Sequence, residues 1–249
     1  MKLFMGGYGT ASLNNIPYID YIYDNKIDIK IVANGFTCYY AVLRENFNKK
    51  DSIILIKDFI QEYLEIFMVM ELAFCKENLF PRKKALLLEK KYNKIWSTKL
   101  SVYKTPPMKY SKNITKNKRI MSEVFNIFDR KFELLDDPEE VALSSLSYHG
   151  LFKPYKGKYI TSTHFYGTPL NFIEDGDKLI KIDINLKDYS SENIAEIMVK
   201  SLRMRANKAE EFILIDKNIK IKRIKNNVKW LDENGTGLSK SFNNDHKTI

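Results

Sequence analysis

The residues best suited to metal chemistry are the carboxylates that cluster between positions 174 and 188. Metal-dependent nucleases bring two or three carboxylates together to bind Mg²⁺ and orient a water molecule. Asp183 is the first candidate because apolar residues flank it on a predicted strand. Glu174 and Asp216 could join it in a catalytic group. An alternative is that the acids around Asp175-Gly176 only shape a turn, where Asp is favoured for its local hydrogen bonds.

Two histidines could act as general acids or bases. His164 follows three hydroxyl residues, and His149 precedes a glycine at the end of a predicted helix. Histidines near hydroxyl groups occur in nucleophilic and phosphotransfer sites. An imidazolium also stabilises a helix C-terminus, so a structural role stays open for His149. No spacing assigns either residue a catalytic role.

The glycines and cysteines indicate no cofactor and no dedicated metal site. Gly6-Gly7-Tyr8-Gly9 follows a short predicted strand, but it lacks the Lys-Ser/Thr of a P-loop and the dinucleotide fingerprint. We therefore expect a tight turn there. Cys38 and Cys75 are the two cysteines, and their spacing matches neither a zinc site nor a disulfide framework. Both are expected to be buried.

One stretch, residues 81–122, carries the whole charge imbalance of the chain; we call it the lysine-rich segment. It contains thirteen Lys and Arg residues and one acid, Glu89, for a charge of +12. The remaining residues contain 28 basic and 30 acidic side chains, for a charge of −2. Eleven of the thirteen cations are lysines, and no acid occurs between Lys90 and Ser122.

This concentration predicts non-specific binding of nucleic acid, DNA or RNA. Lysines displace condensed counterions from phosphates, and tyrosines between them can stack on unpaired bases. Lysine acts as a point charge, whereas base reading favours arginine. The predicted contacts are Lys83, Lys90, Lys94, Tyr103, Lys104, Lys109, Tyr110, Lys112, Lys116, Lys118 and Arg119. A solvated basic surface and an acidic protein partner are the alternatives.

Composition limits the class of protein further. The chain has 249 residues, of which 44% are hydrophobic, and a net charge of +10, so we expect a folded, basic protein. Glu62, Glu65 and Glu71 interrupt its most apolar stretch, so we expect no membrane span. The N-terminus has no apolar run typical of a signal peptide. Two cysteines without a disulfide framework predict a reducing, cytoplasmic setting. The abundance of Asn, Lys and Ile suggests an AT-rich genome of a bacterium, phage or virus, and a phage, mobile-element or defence context is expected for nucleic-acid binding.

The predicted fold is α+β, with antiparallel hairpins at both ends, a helical middle and an arrangement in two lobes left open. Three turns are expected to close hairpins: Asn34-Gly35, Asp175-Gly176, and the residues between the strands 212–215 and 219–224. Apolar periodicity predicts helices over 51–74, 81–98 and 122–135. Helices are also predicted to begin at Asp137 and near Ser190.

Domain boundaries follow from the loss of periodicity. Residues 1–98 are expected to form an N-terminal lobe of hairpin and helices. Residues 99–121 are expected to form a basic linker or long loop, in which Pro106-Pro107 prevents a helix. Residues 122–231 would form a C-terminal α+β lobe, and 232–249 a polar, disordered tail.

Overall fold

A computed structural model describes residues 1–7, 9–60, 113–148, 152–183 and 194–225. Its centre is a mixed sheet of seven strands, and helices pack on the sheet, so the α+β fold class is confirmed. The strand order is β4-β3-β2-β1-β6-β7, and β5 pairs with β3. Strands β1, β2, β3, β6 and β7 are mutually parallel, whereas β4 and β5 run antiparallel to β3.

The elements have the following bounds. The strands are β1 (Lys2–Met5), β2 (Lys30–Ala33), β3 (Ile120–Asn126), β4 (Lys131–Leu135), β5 (Tyr159–Thr161), β6 (Lys178–Asp183) and β7 (Lys220–Lys225). The helices are α1 (Ile16–Asp24), α2 (Gly35–Asn46), α3, which includes residues 49–60, α4 (Pro138–Ser145) and α5 (Ile194–Leu214). Short 3-10 helices cover Gly9–Asn15 and Ser162–His164.

Apolar side chains cover both faces of the central strands. Leu3 and Ile31 point to a first face, where they pack with α1, α2, α3 and α4. Phe4 and Val32 point to the second face, where Leu170 and the end of α5 cover them. Burial on both faces explains why these short parallel strands are almost continuously apolar.

A buried ion pair joins two of the helices on the first face, α1 and α2. Arg44 Nε on α2 lies 2.7 Å from Asp20 Oδ1 on α1, and both side chains are buried. Tyr40 Oη donates to the same carboxylate at 2.8 Å. Removing one partner of such a pair would leave an uncompensated charge inside the protein, so the group fixes how α1 and α2 pack.

The hairpin predicted at Asn34-Gly35 is wrong. A two-residue hairpin turn of the Asn-Gly type needs positive φ at both residues, but Asn34 is extended, with φ −141° and ψ 169°. Only Gly35 has a positive φ, +55°. The chain passes directly from β2 into α2, whose residues 35–44 are all buried. A helix that is apolar all round is typical of such a position.

The helix predicted over 122–135 is also wrong, because this stretch forms β3, a turn and β4. Val124 and Phe125 are adjacent on a strand and therefore point to opposite faces. The residues at helical spacing do not form one buried face: Val124 and Leu135 are buried, whereas Phe128 at the turn is 72% exposed. The antiparallel hairpin of this region is the one that β3 and β4 make.

For both predicted C-terminal hairpins, the prediction of the first strand is wrong. Gly176 does turn the chain, with φ +83°, but residues 171–174 form no strand. Residues 212–214 belong to α5 instead of a strand, although β7 confirms the second arm. Both β6 and β7 find parallel partners, which local sequence does not reveal.

Several other predicted elements are confirmed. Residues 51–60 are helical, a helix begins after Asp137, and α5 occupies the region after Ser190. The 81–98 helix, the rest of the 51–74 helix, Cys75 and the 232–249 tail lie outside the described residues. Strands from 1–98 and from 122–231 share one sheet, and the domain boundaries stay a prediction.

Of the described helices, not one has the length and apolarity needed to cross a membrane.

The cap of α4 gives a direct test of the local structure. Asp137 Oδ1 accepts hydrogen bonds from the backbone N–H groups of Glu139 and Glu140, at 3.1 and 3.2 Å. We expect Asp137→Ala to lower the free energy of unfolding by about 1 kcal/mol, measured by urea denaturation. Asp136→Ala, at an exposed neighbour without such a role, is the control; an equal loss in both variants would contradict the capping assignment.

Candidate functional site

The carboxyl ends of β1 and β6 form the place where a sheet of this topology binds ligands, and the carboxyl end of β2 lies beside them. The chain leaves β1 to form β2 on one side, whereas β6 lies on the other side of β1. Ligands of open α/β sheets bind outside the carboxyl ends of the strands at such a reversal of strand order. Gly6 follows β1 there, and Asn34 and Gly35 follow β2.

The Gly35 turn is packed so tightly that a side chain has no room. A Cβ atom built on Gly35 would lie 2.6 Å from Tyr148 Oη and 3.2 Å from Thr163 Oγ1. The positive φ of Gly35 would strain any other residue as well. Glycine at this position therefore lets the Tyr148 hydroxyl approach the backbone between β2 and α2.

The Tyr148 hydroxyl is buried against polar groups of the turn. The backbone N–H of Phe36 and the Thr163 side chain act to lower the pKa of the phenol, but burial dominates and raises it above its usual range. Thr163 Oγ1 in turn lies 3.0 Å from Thr161 Oγ1. The phenol therefore stays neutral and takes part as a hydrogen-bonding group.

The backbone plan of this turn matches that of a nucleophile elbow. In such elbows a sharp strand-to-helix turn presents a serine, and the N–H of the next residue contributes to an oxyanion hole. Here the turning residue, Gly35, carries no nucleophile. The following N–H, that of Phe36, lies close enough to the Tyr148 hydroxyl to act on the pKa of the phenol. This position therefore supplies no covalent chemistry, and a tyrosine hydroxyl occupies the room that a side chain at 35 would need.

The 162–171 segment crosses the second face beside this turn. Asn34 Nδ2 donates to Ser162 Oγ at 3.1 Å. A Cβ atom on Gly6 would lie 2.6 Å from the carbonyl oxygen of Gly167 and 2.9 Å from Cδ of Pro169. Gly6 therefore allows the close approach of this segment. The tight turn predicted over Gly6-Gly7-Tyr8-Gly9 includes residue 8, which lies outside the described residues.

Glu123 anchors the other end of the 162–171 segment. Its side chain is fully buried on β3 and accepts hydrogen bonds from the backbone N–H of Asn171 at 2.9 Å and from Asn171 Nδ2 at 3.1 Å. Burial raises the pKa of the Glu123 carboxyl to about 7, although bonds from Asn171 and Ser162 favour the charged form. The buried Glu123 carboxyl is thus partly protonated near neutral pH.

The structure separates the acids that the sequence grouped. Glu174 lies at the amino end of β6 and contacts Lys2 Nζ at 3.0 Å. Asp183 ends β6, about 16 Å further along the strand, and its Oδ1 is 3.0 Å from Arg223 Nη1. Asp216 is exposed beyond α5, near the Glu174 end, since the neighbouring Asn218 N–H donates to Asp175 Oδ1. Asp183 therefore cannot share one ion with Glu174 or Asp216.

The remaining candidate residues give no further support for a metal site. Among the described residues, His, Cys, Asp and Glu side chains form no group of three or more that could hold a metal ion. The His164 backbone belongs to the 3-10 helix after β5, and His149 lies outside the described residues. Cys38 is buried in α2 as expected, and burial raises the pKa of its thiol to about 12.

The lysine-rich segment is described from residue 113 onward. Lys116 and Lys118 are exposed. The Asn46 side chain accepts a hydrogen bond from the backbone N–H of Lys116 and donates one to its carbonyl oxygen, each at 2.9 Å. Arg119 lies against the protein instead: its Nη1 donates to the Ile27 carbonyl at 2.9 Å and its Nε is 3.5 Å from Glu45 Oε2. The other predicted contacts lie outside the described residues: Lys83, Lys90, Lys94, Tyr103, Lys104, Lys109, Tyr110 and Lys112.

Sequence reasoning missed Gly35, Tyr148 and Glu123. Asn34-Gly35 was visible as a signal, but a hairpin and a strand-to-helix turn both use a glycine with positive φ. Glu123 was visible as a lone acid in an apolar run. Tyr148 had no signal, because its partner at Gly35 is more than a hundred residues away.

The Gly35 turn gives a prediction about stability. Gly35→Ala is expected to cost about 2–5 kcal/mol, because it combines backbone strain with the contact to Tyr148. Gly157 also has a positive φ, +73°, but a Cβ there would meet no atom within 4 Å, so Gly157→Ala should cost about 1–2 kcal/mol from strain alone. Adding Tyr148→Phe to Gly35→Ala should recover part of the loss. Chemical denaturation of all variants measures this, and additive effects would exclude the contact.

Glu123 gives a prediction about pH. Its pKa in the folded protein, about 7, lies above the ordinary 4.5. The fold therefore favours the protonated form, and its stability contribution is present below pH 4.5 and is lost as pH rises to about 7. The loss is about 3 kcal/mol.

Glu123→Gln should remove this pH dependence, so the difference in free energy of unfolding between the variant and the wild-type protein should change by about 3 kcal/mol across that window. Denaturation at a series of pH values measures it. Glu211→Gln, at an exposed carboxyl of α5, is the matched control. A wild-type curve parallel to that of Glu123→Gln would show that Glu123 titrates normally.

Known proteins add no assignment to this geometry. No protein-family model matches the chain, and a search of curated proteins finds no match.

Proposed function

We propose that the protein binds nucleic acid without sequence preference through the lysine-rich segment. The observation that carries this proposal is the charge of +12 over residues 81–122, against −2 over the rest of the chain. A polyanion that meets these ammonium groups releases its condensed counterions, and this release supplies most of the affinity of non-specific complexes.

Two contacts of the described residues support the proposal. The two hydrogen bonds of the Asn46 side chain fix the backbone at Lys116, while the side chains of Lys116 and Lys118 remain exposed. Their charges are therefore available to a phosphate without any rearrangement of the sheet. Arg119 contributes mainly to the fold, because its guanidinium lies 5.1 Å from the centre of the Tyr23 ring and beside Glu45.

Binding is favoured over catalysis by the placement of the reactive groups. Asp183 is paired with Arg223 and lies far from Glu174. The turn at Gly35 carries no nucleophile. A metal-dependent nuclease that uses Asp183 remains the alternative function, and it requires Mg²⁺-dependent cleavage that Asp183→Ala abolishes without unfolding the protein.

An acidic protein partner is the second alternative, since the same lysines would attract carboxylates. It differs from nucleic acid in its response to nuclease, which would leave such a complex intact. The cytoplasmic setting and the phage or mobile-element source belong to the proposal as well, and composition alone supports them.

The proposal predicts a steep dependence of affinity on salt. The affinity for labelled DNA or RNA should fall linearly in a plot of log K against log salt concentration, with a slope of about −0.7 to −0.9 for each phosphate contact. Replacing Lys83, Lys90, Lys94, Lys112, Lys116 and Lys118 by Gln should weaken binding and flatten this slope. Filter binding over a salt series measures both effects.

The matched control removes the same charge elsewhere. Six exposed lysines outside the segment serve for this: Lys30, Lys50, Lys57, Lys208, Lys220 and Lys225. Their replacement by Gln lowers the net charge equally but should change the slope less. Equal effects of the two sets would mean that net charge, and not the lysine-rich segment, governs binding. An affinity independent of salt would exclude the proposal.

A further inference from the structure

The turn between β3 and β4, residues 127–130, presents an aromatic ring to solvent on a rigid support. Asn126 is buried, and its Oδ1 accepts hydrogen bonds from the backbone N–H groups of Phe128 and Asp129, at 3.1 and 3.2 Å. Its Nδ2 donates to Asp129 Oδ2 at 2.9 Å and to Glu133 Oε1 at 3.0 Å. Phe128, at the tip, is 72% exposed.

Phe128 lies next to further apolar surface. Ile127 and Phe165 are exposed, and the ring of Phe165 packs on Phe125 and Phe132, with centroids 4.6 and 5.4 Å apart. Single exposed apolar residues are ordinary on protein surfaces, but neighbouring ones with polar residues at the rim mark interaction sites. This part of the surface therefore fits a partner that is itself partly apolar.

Cations flank the same turn. Arg130 is exposed, and Lys158 is adjacent because its carbonyl oxygen accepts the Ile127 N–H at 2.9 Å. Lys131 is partly neutralised, since its Nζ lies 3.3 Å from Glu133 Oε1 and 3.8 Å from Asp129 Oδ2. The Lys158 Nζ lies 4.5 Å from the centre of the Tyr159 ring. Arg130 is therefore the group beside the exposed ring that can meet a phosphate.

We propose that the β3–β4 turn is a second nucleic-acid contact and that the ligand is single-stranded, with an unpaired base stacked on Phe128. This inference rests on the proposed function and narrows its ligand. Bases of a duplex are already stacked on one another, so an exposed ring beside a cation selects a strand whose bases are free. Arg130 holds a phosphate next to that base.

The two contacts can serve one ligand. β3 begins at Ile120, within the lysine-rich segment, and ends at Asn126 beside the turn, so the two ends are about 20 Å apart. Proteins that bind single strands without sequence preference cover about 4–16 nucleotides with each module. One strand therefore has the length to engage the lysines at one end of β3 and Phe128 at the other.

Phe128→Ala tests the inference with a matched control. Fluorescence anisotropy with labelled oligothymidylate should show an affinity about 5- to 150-fold lower for this variant. Affinity for a duplex of equal length should not change, and Phe128→Tyr should bind oligothymidylate like the wild-type protein. Phe212→Ala removes a ring that is 76% exposed at the end of α5, and it should have no effect. Thermal melts verify that all three variants fold.

The outcomes separate this inference from the proposed function. If Phe128→Ala binds oligothymidylate normally while the lysine replacements weaken binding, the inference fails and the proposed function stands. If neither nucleic acid binds to the wild-type protein, both fail. If Phe128→Ala binds oligothymidylate normally but loses binding to vesicles of phosphatidylserine and phosphatidylcholine, the turn contacts membranes and the inference is overturned.

Discussion

The positive φ of Gly35 is the constraint on which the arrangement of the described residues depends. It allows the chain to leave β2 and begin α2 without an intervening loop, so α2 packs directly on the first face of the sheet. Residues from 35 to 44 are then all buried. The absence of a side chain at 35 also admits the Tyr148 hydroxyl, which links this turn to the 3-10 helix after β5.

Local signals predicted elements well where one residue decides the structure. Asp137 and Pro138 mark the start of α4, and Gly176 marks a turn, because a cap or a positive φ acts over a few residues. Parallel pairing was not predictable in this way. Strands such as β6 and β7 join partners far along the chain, and strands covered on both faces lose the alternation that identifies them.

The candidate site shows the same difference between what local sequence predicts and what depends on the fold. Counting charges identified the lysine-rich segment, although Arg119 proved to be packed against Glu45 and Tyr23. Proximity in sequence wrongly suggested a common site for the acids. The six residues of β6 separate Glu174, which precedes the strand, from Asp183 at its end. The exposed ring of Phe128 could not be separated from a core residue by spacing, since its neighbours Phe125 and Phe132 are half-buried.

The buried carboxyl of Glu123 has a consequence for the charge of the whole molecule. The formal value of +10 treats every Asp and Glu as ionised, yet a pKa of about 7 leaves Glu123 divided between two protonation states in neutral solution. The protein thus buffers in the neutral range through a carboxyl that solvent does not touch. Mild acidification makes the molecule slightly more cationic, and the long-range attraction for any polyanion grows with it.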